Sequence, residues 1–156
     1  MQRDLLVQLQ FWRKDPLRKP LILRGARQVG KSWLIAEFGK QFEHFLTINF
    51  ERDLDARRIF TGSLNAATIT ERISLYYQQK LIPGKSLLFL DEIQECEQAI
   101  TALRYFKEEL PDLHIIAAGS LLDFVLESIG LPVGRVQFLY LYPLSFAEFL
   151  TATGNH

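Results

Sequence analysis

The chain has 156 residues, 48% of them hydrophobic, which suits one folded domain with a real core. Eighteen basic and eighteen acidic side chains cancel, so overall charge gives no drive toward nucleic acid or an anionic membrane. The single cysteine, Cys96, excludes an internal disulfide and a thiolate metal cluster; with no apolar run of membrane-span length and no signal-peptide core, a cytoplasmic protein without membrane attachment is expected.

In chain order, Asp4 to Lys14 carry Leu5, Leu6, Leu9 and Trp12 on a helical stripe that ends before Pro16, so residues 1–15 read as an N-terminal helix. A core over residues 20–150 follows. Leu21-Ile22-Leu23-Arg24 is a short apolar strand, and it runs into Gly25-Ala26-Arg27-Gln28-Val29-Gly30-Lys31-Ser32. Trp33 to Phe38 begins an amphipathic helix. His44 to Phe50 alternates and is rich in β-formers, predicting a second strand closed by Glu51. Asp53 to Phe60 and Asn65 to Lys80 predict helices, and Pro83-Gly84 a turn into a strand over Ser86 to Leu90. Gln98 to Leu110 reads as a helix, Leu113 to Ala118 as a fourth strand, Leu121 to Ser128 as a short helix, and Arg135 to Leu141 as a fifth strand. Pro143 to Leu150 predicts a last helix on that strand. Strands separated by helices argue for an α/β fold: a mostly parallel sheet covered on both faces, with ligand at the carboxyl ends of the strands.

The segment from Gly25 to Ser32 fits the phosphate-loop pattern G-x-x-x-x-G-K-[ST] in the setting that pattern needs, between a strand and a helix. Its four fixed choices should coincide by accident in roughly one chain of this length in a hundred. A polyphosphate can be surrounded by backbone N–H groups only if those groups converge, and Gly25 and Gly30 supply the freedom for it. The N-terminus of the next helix adds donors and the positive end of a dipole. Residues Gly25 to Trp33 therefore form the expected nucleotide site. Lys31 would reach the β- and γ-phosphates of ATP, and the Ser32 hydroxyl would hold Mg²⁺.

Leu87-Leu88-Phe89-Leu90-Asp91-Glu92 is the second constellation. Four apolar residues suit a strand buried on both faces, so the two carboxylates emerge at its carboxyl end beside the phosphate loop. Asp91 would accept from water around Mg²⁺, and Glu92 would polarise the attacking water.

With these motifs the chain resembles the AAA-type P-loop ATPases over nearly all its length. The segments G-A-R-Q-V-G-K-S, L-F-L-D-E-I-Q, A-A-G-S and G-R-V-Q-F-L-Y-L-Y-P-L-S-F-A-E-F-L are similar to those of a prokaryotic AAA family of ATP-binding proteins. The resemblance implies a three-layer P-loop fold with strand order 5-1-4-3-2. It also implies a helical lid and, in most members, a nuclease-like C-terminal domain, neither of which is expected within this sequence; slow turnover is the expected consequence. Ser120, ending the fourth strand, matches a residue that senses the γ-phosphate or holds the attacking water, and equally reads as the cap of the helix at Leu121. Arg135 matches a position from which a neighbouring subunit's γ-phosphate is reached, or it is a solvated arginine opening a strand.

Other residues read as structural. Glu51 is a strand end, Arg24, Arg57 and Arg58 are solvated or locally paired, and His44, His114 and His156 lack metal-ligand spacing. Tyr140, Tyr142, Phe146 and Phe149 read as core and edge packing. The expectation is an ATPase using ATP and Mg²⁺ and releasing ADP and phosphate, coupled to a DNA or protein client and assembling as a homo-oligomer through Arg135. The alternative is a switch or assembly module that binds ATP without useful turnover. No N-K-x-D or T-K-x-D motif supports a GTPase, and an acceptor site for a kinase is not evident.

Overall fold

In the computed structural model, residues 3–25, 30–120, 122–130 and 134–141 are described. The elements are α1 (Arg3–Lys14), β1 (Leu21–Arg24), α2 (Lys31–Gly39), β2 (His44–Asn49), α3 (Ala66–Tyr77), β3 (Ser86–Asp91), α4 (Glu97–Glu109), β4 (His114–Gly119), α5 (Leu122–Ile129) and β5 (Gln137–Tyr140). Two short 3-10 helices, Leu54–Phe60 and Ile93–Glu95, lie between them. The five strands form one parallel sheet in the order β2-β3-β4-β1-β5, the expected order read from its other edge.

Side-chain alternation splits the core into two layers. Leu21, Leu23, Leu87, Phe89, Ile116 and Ala118 face α1 and α2, whereas Ile22, Ile48, Leu88, Leu90, Ile115 and Ala117 face α3 and α4. All six residues of β3 and of β4 are buried, because each strand has neighbours on both sides and helices on both faces. The apolar stripe of α1 buries Leu5, Leu9 and Trp12. Each fully buried large side chain in these layers contributes roughly 2–3 kcal/mol.

Several boundaries depart from the expected ones. The segment expected as a helix from Asp53 closes as a 3-10 helix from Leu54. Both carboxylate oxygens of Asp53 are occupied from another element, accepting from the hydroxyls of Tyr76 and Tyr77 at 2.8 Å each, so the side chain does not cap the helix. The next helix stops at Tyr77, earlier than Lys80, because Gln78 turns left-handed (φ 53°) and the Gln79 N–H bonds back to the Ser74 carbonyl. The fifth strand begins at Gln137, later than Arg135, after Gly134 with φ 85°. The helix expected over residues 143–150 lies outside the described residues. Among those described, no helix is long and apolar enough to cross a membrane.

Register brings the ends of the strands level. Arg24 lies beside Gly119 and Tyr140, and Asn49 beside Asp91. One rim of the sheet therefore collects the ends of all five strands.

At the other rim, His114 opens β4 buried between the rings of Trp12 and Phe42, with Nε2–H donating to the Arg13 carbonyl at 3.1 Å. Its Nδ1 is buried without a partner among the described residues. Burial above all, helped by the charges of Arg18 and Arg13 and opposed by the bond to the Arg13 carbonyl and by Asp112, lowers its pKa from 6.5 to about 4. The neutral ring's stability is fully present above pH 6.5 and is lost as the pH falls toward 4, where only the unfolded chain takes up the proton. The difference is on the order of 2 kcal/mol. Urea unfolding of the parent and of His114→Leu at pH 7 and pH 4.5 should show a smaller acid-induced loss in the variant; equal losses would remove His114 as the cause.

Gly39 fixes how α2 sits. A Cβ there would lie 2.6 Å from ring atoms of Phe45. Alanine adds about 1 kcal/mol of helix propensity, but overpacking against a ring costs about 1–3 kcal/mol. Sterics should therefore win, and Gly39→Ala should lower the urea midpoint; an unchanged midpoint would mean that the ring swings clear.

Candidate functional site

The residues of the phosphate-loop pattern follow β1, an interior strand of the sheet. Gly25 follows Arg24, and Gly30 ends the loop with φ 86° and ψ 23°, a left-handed turn at the entrance to α2 that suits glycine. Ala26, Arg27, Gln28 and Val29 lie outside the described residues. The Lys31 ammonium, 8% exposed, donates to the Gly25 carbonyl at 2.9 Å and so ties the two ends of the loop together. Trp33 stands 48% exposed on the first turn of α2.

Ser32 and Asp91 meet across the layers. The Ser32 hydroxyl donates to Asp91 Oδ2 at 2.6 Å, and the Glu92 N–H donates to Oδ1 at 2.9 Å. Burial pushes the Asp91 pKa up, while these two hydrogen bonds and the Lys31 charge favour the carboxylate. Two hard oxygen donors, one hydroxyl and one carboxylate, fit a magnesium ion that keeps most of its shell from water and phosphate. Among the described residues no group of three His, Cys, Asp or Glu side chains could hold a metal by itself.

Glu92 leaves the sheet abruptly. Its backbone is left-handed (φ 53°, ψ 46°), and its carboxylate accepts from the Gln94 side-chain amide at 2.6 Å. Sequence reasoning missed Gln94, because a residue two positions on in a 3-10 turn carries no periodic signal.

Ser120 follows β4 on the same rim and is 3% exposed, with its hydroxyl buried and, among the described residues, unpartnered. It makes no capping hydrogen bond to α5 among the described residues, so the capping alternative is not realised there. Arg135 lies at the opposite rim: it precedes Gln137, which pairs with Leu21 at the start of β1. The four residues of β1 separate that rim from the loop by about 13 Å. The Arg135 guanidinium pairs with Glu108 at 2.8 Å, so within one chain it stays away from Lys31. Glu51 is exposed just past β2.

Of the three arginines read as solvated or locally paired, Arg58 is exposed and the other two are paired. Arg24 pairs with Asp123 and lies over the Phe138 ring, and Arg57 is 3.5 Å from Glu95. Cys96 is buried. Tyr140 is 48% exposed on β5, a sheet edge.

Comparison with known sequences agrees with this arrangement. A family model described as AAA domain matches residues 17–150, from just before β1 through the last described strand. No curated protein matches the chain. The match spans most of the sequence and contains both carboxylates and the loop, so the chain belongs to the AAA domain family of ATPase-like, nucleotide-binding P-loop domains.

Proposed function

We propose that the chain binds ATP with Mg²⁺ and hydrolyses it to ADP and phosphate, coupling the nucleotide state to a protein or DNA client in the cytoplasm. The observation that carries this reading is the 2.6 Å contact between Ser32 and Asp91, which joins the first turn of the loop helix to the end of β3. Backbone N–H groups between Gly25 and Trp33 would surround the phosphates, and Lys31 would exchange its bond to the Gly25 carbonyl for phosphate oxygen. Ser32 and Asp91 would hold Mg²⁺, whose charge offsets that of the phosphates.

Glu92 then serves as the group that orients and polarises water for in-line attack. The buried, unpartnered Ser120 hydroxyl suits a donor to the γ-phosphate or the water. Arg135 faces away from its own loop, which favours action on a neighbouring copy of the chain; there a guanidinium would stabilise transition-state charge. Homo-oligomer formation follows from that role.

Lys31→Ala should weaken ATP binding by at least roughly tenfold, since a charge-assisted hydrogen bond is worth about 1.5–3 kcal/mol, while leaving the unfolding midpoint close to the parent's. Titration with a fluorescent ATP analogue measures this, and parental affinity would contradict the contact. Glu92→Gln should retain binding and lose about 10²–10⁴-fold in phosphate release. A non-hydrolysing switch would instead show no phosphate release above the buffer rate in the parent either.

Parental turnover per chain should rise with protein concentration and fall by about 10³-fold or more in Arg135→Ala. Concentration-independent turnover, unaltered in that variant, would remove the role in trans.

A further inference from the structure

The turn after β3 holds a polar group that fold stability does not explain. A carboxylate only accepts, so the Gln94 amide must present its NH₂ to Glu92 and leave Oε1 as an acceptor elsewhere. Among the described residues that oxygen is buried without a partner. A leucine would fill the same volume without burying an unmatched acceptor, so packing alone does not account for the amide. Its place is also tightly defined from the other side. A Cβ at Gly119, the last residue of β4, would come within 2.2 Å of Oε1 and 3.3 Å of the amide carbon. Gly119 has no positive φ to demand glycine, so the demand is one of space.

From this juxtaposition we infer that Gln94 is the positioning residue for Glu92. Its amide, lodged in the space left by the missing side chain of Gly119, holds the carboxylate that polarises the attacking water. The inference rests on the proposed role of Glu92. The left-handed backbone at Glu92 carries the carboxylate out of the strand direction, and the Gln94 bond fixes where it then lies. Removing the donor would leave the carboxylate free among rotamers without touching the residues that contact nucleotide. Adding a methyl at Gly119 would have the same effect from β4, because the group it strikes is the movable end of a side chain and the backbone need not shift.

The test measures phosphate release by the full chain, per nucleotide bound. Gln94→Leu and Gly119→Ala should each lower kcat roughly 10–100-fold, with KM for ATP within about twofold of the parent. Gln94→Glu keeps the shape but puts a second carboxylate where the donor stood, so it should lower kcat at least as far as Gln94→Leu, with KM again near the parent's. A merely structural role would lower the bound fraction and leave kcat per bound nucleotide at the parent's value. Parental or raised kcat in Gln94→Leu and Gly119→Ala, alongside an inactive Glu92→Gln, overturns the positioning role alone. Parental turnover in Glu92→Gln, or none in the parent chain, overturns the reading of Glu92 and this inference with it.

Discussion

A carboxylate buried at the end of a central strand is stable as an anion only if donors meet it, and the site is organised around the donors that meet Asp91. One comes from its own chain neighbour, the Glu92 N–H, and the other from Ser32 on a helix that begins sixty residues earlier in the sequence. For Ser32 to arrive, α2 must start where β1 stops, and β1 must lie in the sheet close to β3. The order β2-β3-β4-β1-β5 does this with a single strand between them. Burial pulls Asp91 toward the neutral form and the two hydrogen bonds pull it back, a balance that a divalent cation would tip toward the charged form.

The same geometry explains why Lys31 folds onto the Gly25 carbonyl. An ammonium that is 8% exposed cannot stay without acceptors, and the carbonyl that opens the loop is within reach. The two rims of the sheet are thereby given different chemistry. Lys31, Ser32, Asp91, Glu92 and Ser120 gather at the carboxyl ends of the strands, while His114 and Arg135 lie at the amino ends, held by aromatic rings and by Glu108 respectively. The proposed roles divide accordingly: the first rim serves the chain's own nucleotide, and the second offers Arg135 to a neighbour.

Elements with strong local signals were legible in the sequence. The stripe of Leu5, Leu9 and Trp12 gave α1, the apolar run before Asp91 gave a doubly buried strand, and Gly30 of the glycine pattern stands at the entrance to α2. Local signals failed where a distant group intervened. Asp53 stands ahead of a helical pattern, yet the hydroxyls of Tyr76 and Tyr77 take its carboxylate, and the segment from Leu54 closes as a 3-10 helix. Gln94 carried no signal, since its importance arises from Glu92 on one side and the empty face of Gly119 on the other.

Sequence alone determined the α/β alternation, the step from β1 through Gly30 to Lys31 and Ser32 at the start of α2, and the place of Asp91 and Glu92 at the end of β3, because each depends on residues adjacent in the chain and on short-range backbone rules. Only the tertiary structure decided that Ser32 bonds Asp91, that the Ser120 hydroxyl is buried rather than capping, that Arg135 faces away from its own loop, and that Gly119 makes room for Gln94. These depend on which strands become neighbours and in what register, and that is settled by packing two apolar faces over one sheet across sequence separations that no local pattern encodes.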